Sequence, residues 1–191
     1  MVKSVKPAKT VTPAASKTST RSAPVAGMSV DALIEHALTA WRVHDGINLI
    51  LLRALSDAAL AVVPPASRGR SVSAQLAHVT KVRMAWLGAN GVKPDAGIPV
   101  FGKAATPSKG ELDAALTGSG RLVEAFLRRA FAGEVRVKMF NGNPVRWMGY
   151  LISHESHHRG SIALALKQQG HRLPESVSLK GLWQTWIWGK V

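Results

Sequence analysis

The chain has 191 residues, 46% of them hydrophobic, and a formal net charge of +14 from 25 Lys and Arg against 11 Asp and Glu. It has no cysteine, which excludes disulfides, a thiol nucleophile and thiolate metal ligands, so any metal must be held by His, Asp or Glu. No apolar run is long enough to span a membrane and no apolar signal core is found near the N-terminus, so the expectation is a cytoplasmic protein of one domain plus extras, with no membrane partner.

Residues 1–27 are mainly Lys, Ala, Ser, Thr and Pro. Lys3, Lys6, Lys9, Lys17 and Arg21 carry charge, no acid precedes Asp31, and Pro7, Pro13 and Pro24 interrupt any helix. This composition predicts a disordered basic arm. Such an arm is an electrostatic handle for nucleic acid or a solubilising tail. The second reading is favoured, because no aromatic side chain is interleaved to stack on bases. The prolines also argue against the amphipathic helix of an organelle transit peptide.

Residues 29–62 predict one long helix. Ser29 is its cap and Asp31 lies in its first turn, while Leu33, Ala37, Trp41, Asn48, Leu51, Leu52, Leu55 and Ala59 trace a stripe to be buried. Gly46 weakens its middle by about 1 kcal/mol, and Pro64-Pro65 ends it. His36 and His44 read as polar boundary residues, with His44 a lesser site candidate because Trp41 and Asn48 flank it at helical spacing.

Residues 71–88 predict a second helix with Val72, Leu76, Val79, Val82 and Trp86 on its apolar face and His78 at the border of that face. The Gly- and Pro-rich residues 89–107 form a long crossover. A third helix follows to about Ala132, opened by the capping box Ser108-Lys-Gly-Glu111. Residues 134–146 alternate in polarity around Asn141-Gly142, which predicts a short β-hairpin. No internal repeat is visible.

The stretch Trp147–His171, with three of the seven histidines inside five residues, predicts the fourth helix. Met148, Leu151, Ile152, Ile162, Ala165 and Leu166 recur every three or four residues, and His154 and His158 fall on the same stripe. Residues four apart on a helix are neighbours, so two imidazoles so placed can converge on one ion. The alternative for each is a core histidine with a hydrogen-bond partner, and two on one face would each need their own. His78 is then the natural third ligand, since helical bundles build metal sites from facing helices. Gly170 ends the helix and Pro174 prevents its resumption. The C-terminal GLWQTWIWGKV, with three of the six tryptophans, seals one end of the molecule or a dimer interface. Together these elements predict an all-α fold: a four-helix bundle with a long crossover between helices two and three.

His78 within the second helix, the H-E-S-H-H-R-G-S run at 154–161, the Q-Q-G-H-R-L-P run at 168–174 and Leu182-Trp183 with Trp186 resemble the DinB/YfiT-like metalloenzymes over about residues 28–190. The resemblance implies a four-helix bundle with a divalent ion (Zn or Ni, otherwise Fe or Mn) on His78, His154 and His158 and at least one position open to water. It further implies a small-molecule substrate, thiol-dependent transferase or isomerase chemistry with a low-molecular-weight thiol, and a homodimer. Ser161 stands where the family usually has Gln, which puts any supporting role of that position in doubt.

Two other functions compete with it. Residues 154–158 also satisfy H-E-x-x-H, the zinc metalloprotease pattern with Glu155 as general base. Ser161 and Leu164 replace the Gly and His of its extended form, and the sheet expected upstream is missing. The net charge allows a non-enzymatic nucleic-acid-binding bundle. In the metalloenzyme reading, transfer or hydrolysis, Glu155 is either a base that orients water or an interhelical salt-bridge carboxylate. His157 points off the ligand face. Arg159 holds an anionic substrate group or pairs with an acid.

Overall fold

Side-chain caps decide where the helices begin. In the computed structural model, which describes residues 27–65, 69–93, 95–102 and 105–189, Ser29 accepts from Ala32 N at the start of α1 (Val30–Ala54). Ser56 does the same for the short α2 (Asp57–Ala61), and Ser71 for α3 (Val72–Ala89). Ser108 and Glu111 complete the expected capping box of α4 (Lys109–Phe131). Asn143 caps α5 (Pro144–Gln168), with Pro144 in its first turn. Each cap satisfies an otherwise orphaned N–H, an effect of about 1 kcal/mol. At the far end of α5, Gly170 takes a φ of 81° and lets His171 N reach Leu166 O at 2.8 Å.

The fold is all-helical among the described residues. Four sequence expectations need correction. The first long helix breaks at Leu55, which is extended (φ −86°, ψ 140°), and Ser56 starts α2 instead. The break is stabilised from outside, because Lys109 Nζ donates to Arg53 O (2.8 Å) and Leu55 O (2.7 Å), carbonyls left open at the end of α1. Leu33, expected inside, is 54% exposed.

The β-hairpin does not form. Asn141 and Gly142 do turn the chain with positive φ, but Met139 and Phe140 share that region (φ 63° and 48°) and a 3-10 turn occupies Phe140–Gly142. The residues meant for the second strand are taken by the cap at Asn143 and the helix from Pro144, a stronger local signal. Before the turn, Lys138 N is held by Asn90 Oδ1 at 2.7 Å rather than by a strand partner.

Helix resumes after Pro174. Its carbonyl accepts from Val177 N and Ser178 N, both at 2.9 Å. A π-helical segment, Ser176–Gln184, then runs into α6 (Thr185–Trp188). This segment packs on α1, where Gly181 meets the side chain of Ile50. Trp186 is partly covered and lies 6.3 Å from the His44 ring, whereas Trp183 and Trp188 are mostly exposed. The expected basic arm falls, apart from Gly27, outside the described residues.

The four long helices enclose two apolar clusters. One gathers Leu51, Leu52, Leu76, Leu112, Leu116 and Ile162. The other gathers Leu38, Trp41, Leu87, Phe126, Trp147 and Leu151. Between them each helix contributes one turn of buried polar groups: His44 and Asn48 from α1, Arg83 from α3, Ser119 from α4 and Glu155 from α5. This polar layer positions the site. No described helix is long and apolar enough to cross a membrane.

Candidate metal centre

The buried positions of α5 are Trp147, Met148, Leu151, Glu155, Ile162, Ala165 and Leu166. Glu155 therefore lies on the core stripe, four residues after Leu151 and seven before Ile162. His154 and His158 border the stripe, half-buried. On the neighbouring α3, His78 is also half-buried. The three rings meet: the His78 centroid is 5.3 Å from His154 and 5.0 Å from His158, and His154 and His158 are 4.7 Å apart. One potential ligand nitrogen from each lies within 4.8 Å of the other two. His157 is exposed and stays outside this group.

The donor set suits a borderline divalent ion, for which imidazole nitrogen is a preferred ligand. Two observations support the fit. His154 Nδ1 and His158 Nδ1 are buried with no hydrogen-bond partner, a costly condition for a polar atom in a protein interior. All three imidazoles are also biased toward the neutral form that carries a free electron pair. Burial, with the neighbouring rings next in importance, pushes His158 down to about 4. Burial lowers His78 and His154 as well, with Arg70 contributing to both.

One side of the site is aromatic. Tyr150 stacks on His154 (6.0 Å, 19° between planes), and Trp86 and Phe140 pack against Tyr150 at 5.6 and 5.5 Å. On the other side a cavity of about 430 Å³ runs along α3, lined by Arg70, Ala77, His78, Lys81 and Val82 and bounded by Phe101 of the crossover.

Glu155 does not face open solvent. Its carboxylate accepts from Arg83 Nε and Nη2 (both 2.7 Å), Asn48 Nδ2 (2.6 Å) and His44 Nε2 (2.8 Å). Of the two expectations for this residue, the interhelical ion pair is what the geometry contains. Three of these hydrogen bonds fall on Oε2 and one on Oε1, and together they hold the carboxylate within the core. Burial acts to raise the Glu155 pKa, but the Arg83 charge and the hydrogen bonds from Arg83 and His44 outweigh it and hold the carboxyl well below the usual range. Arg83 is itself fully buried. Its remaining donors go to Asp45 Oδ1 (2.8 Å) and Leu116 O (3.1 Å), and its guanidinium carbon lies 5.1 Å from the Trp41 ring centroid.

His44, flagged by its flanking Trp41 and Asn48, belongs to this network and not to the metal cluster. Burial lowers its pKa against the opposing pull of Glu155 and so favours the neutral form. It then donates from Nε2–H to Glu155 and accepts at Nδ1 from Arg159 Nη1 at 3.3 Å. Arg159 also donates to Asn48 Oδ1 and Ser156 Oγ, both at 2.6 Å, and burial pushes its pKa down to about 10. These contacts join it to the polar layer.

Sequence reasoning missed Arg83, Asp45 and Tyr150. Arg83 had a legible signal, since it sits seven residues after Leu76 and four before Leu87 on the buried face of α3. Asp45 had none, because its partner comes from another helix.

Among the described residues the chain is all-helical, and it gathers from two adjacent helices three imidazoles that could hold a metal ion. The chain belongs to the DinB superfamily, whose profile matches residues 44–162. That stretch spans α3, α4 and every residue of the cluster and the polar layer. Comparisons with curated proteins and with solved structures find no match.

Proposed function

We propose that this protein is a divalent-metal-dependent enzyme built on a four-helix core, with His78, His154 and His158 as ligands and thiol-dependent transfer or hydrolysis as its chemistry. The observation that carries the proposal is the convergence of three ligand nitrogens within 4.8 Å, two of the rings having an unpartnered buried nitrogen. A divalent ion there would supply Lewis acidity and lower the pKa of a bound water or thiol. The chain's own contribution is to keep the imidazoles neutral, to wall one side with Trp86, Phe140 and Tyr150, and to leave the α3 cavity for substrate. Zn and Ni suit three imidazoles best, with Fe and Mn also compatible.

The metalloprotease reading is less well supported, because Glu155 is buried and hydrogen-bonded to Arg83, Asn48 and His44. The nucleic-acid reading rests on the net charge of +14 and on an arm that falls almost wholly outside the described residues.

Elemental analysis of purified protein tests the site. Close to one divalent metal per chain is expected, lost when His78, His154 and His158 are all changed to Ala. Retention of the metal by a folded triple variant refutes the assignment.

A further inference from the structure

The cavity beside His78 has a chemical asymmetry. Ala74, Ala77, His78, Lys81, Val82 and Ala85 recur every three or four residues and form one continuous face of α3. That face is the cavity floor. Among the described residues, Arg70, just before the helix cap, and Lys81 supply its lysine or arginine charges, no carboxylate lines it, and neither cation forms an ion pair. Most of the remaining surface is aliphatic, with Phe101 across from it. At about 430 Å³ the space falls in the range of small-molecule sites, roughly 300–1,000 Å³.

We propose that this cavity selects a small organic anion, with a carboxylate or phosphate held by Arg70 and Lys81 and a short carbon chain laid along Ala74 and Ala77 toward His78. The guanidinium of Arg70 offers the forked donor geometry that matches either anion, and Lys81 adds a point charge. The inference deepens the metal-enzyme reading by naming the charge class of the molecule brought to the histidines. Arg70 and Lys81 are specificity-determining residues in this account and take no part in bond making.

The test compares 3-mercaptopropionate with its neutral amide, 3-mercaptopropanamide, against the full-length protein at low salt. Binding is read by calorimetry on zinc-loaded protein and by ligand-observed NMR on metal-free protein, for wild type and for R70Q/K81Q. The double variant serves as the reference, which cancels the intrinsic difference between the two thiols. Relative to that reference, wild type is expected to favour the carboxylate by about tenfold, the effect of one or two well-placed ion pairs, and the preference is expected to shrink in high salt. Circular dichroism and metal content verify that the variant is folded. Equal preference in wild type and variant overturns the inference, and so does failure of wild type to bind either probe. Loss of the three-histidine site as a metal centre would show separately, as metal retained in the triple alanine variant, while the carboxylate preference of metal-free wild type still decides the anion question.

Discussion

Arg83 on α3 and Glu155 on α5 share two parallel hydrogen bonds of 2.7 Å where neither side chain reaches solvent. The pair joins the two helices that carry the histidines. His78 lies five residues before Arg83, and His154 and His158 flank Glu155, so the ion pair sets how α3 and α5 face each other. Losing one partner of a buried pair leaves an uncompensated charge and costs about 3–5 kcal/mol. R83M and E155L should each lower stability by that order in chemical denaturation of the metal-free protein. The double variant R83M/E155L should lose much less than the sum; strict additivity would mean that the pair does not act as a unit.

Metal should stabilise the fold through the same helices. At a free concentration about 100 times its Kd, a ligand that binds only the folded state adds about 2.7 kcal/mol, or roughly 5–10 °C in melting temperature for a domain of this size. Differential scanning calorimetry with zinc should record that rise in wild type and none in H78A/H154A/H158A. An equal rise in both would move the metal elsewhere on the surface.

The pH dependence of the metal-free protein follows from the signs of the histidine and Glu155 shifts. His158 is lowered to about 4 when folded, so between pH 6.5 and about 4 the unfolded chain binds the proton and the folded chain resists it. Stability therefore falls as pH drops through that window. Glu155 is also lowered when folded, and its contribution, full above about pH 4.5, is lost further down. Unfolding midpoints measured from pH 7 to 3 should decline throughout, and H158A should reduce the slope of the upper part of the curve, the rest of which comes from His44, His78 and His154, also lowered by burial. A flat wild-type profile between pH 6.5 and 4.5 would contradict the buried, neutral imidazole.

Two glycines should respond to alanine with opposite signs. A Cβ at Gly120 would overlap the Asp45 carboxylate, which is bonded to Arg83, and the Gly120 carbonyl takes the Trp41 indole N–H at 3.1 Å. Overpacking of this kind costs about 1–3 kcal/mol, against about 1 kcal/mol gained in helix propensity. G120A should thus be net destabilising by up to about 2 kcal/mol. Gly149 on α5 is exposed with nothing within 4 Å of a Cβ, and G149A should stabilise by about 0.5–1 kcal/mol. Thermal melts of both variants check the contrast.

Much of this could be read along the chain because its causes are local. Ser29, Ser71 and the Ser108–Glu111 box mark helix starts through bonds to residues three positions on, and the four-residue spacing of His154 and His158 puts their rings 4.7 Å apart on one helix. Other features depended on partners distant in sequence. The end of α1 at Leu55 is secured by Lys109, 54 residues later. Glu155 had the spacing of a core residue and the chemistry of a surface one. Only the arrival of Arg83 from α3, with His44 and Asn48 from α1, decided that it turns inward, because a charge survives out of water only where other helices bring enough donors to replace the hydration it gives up.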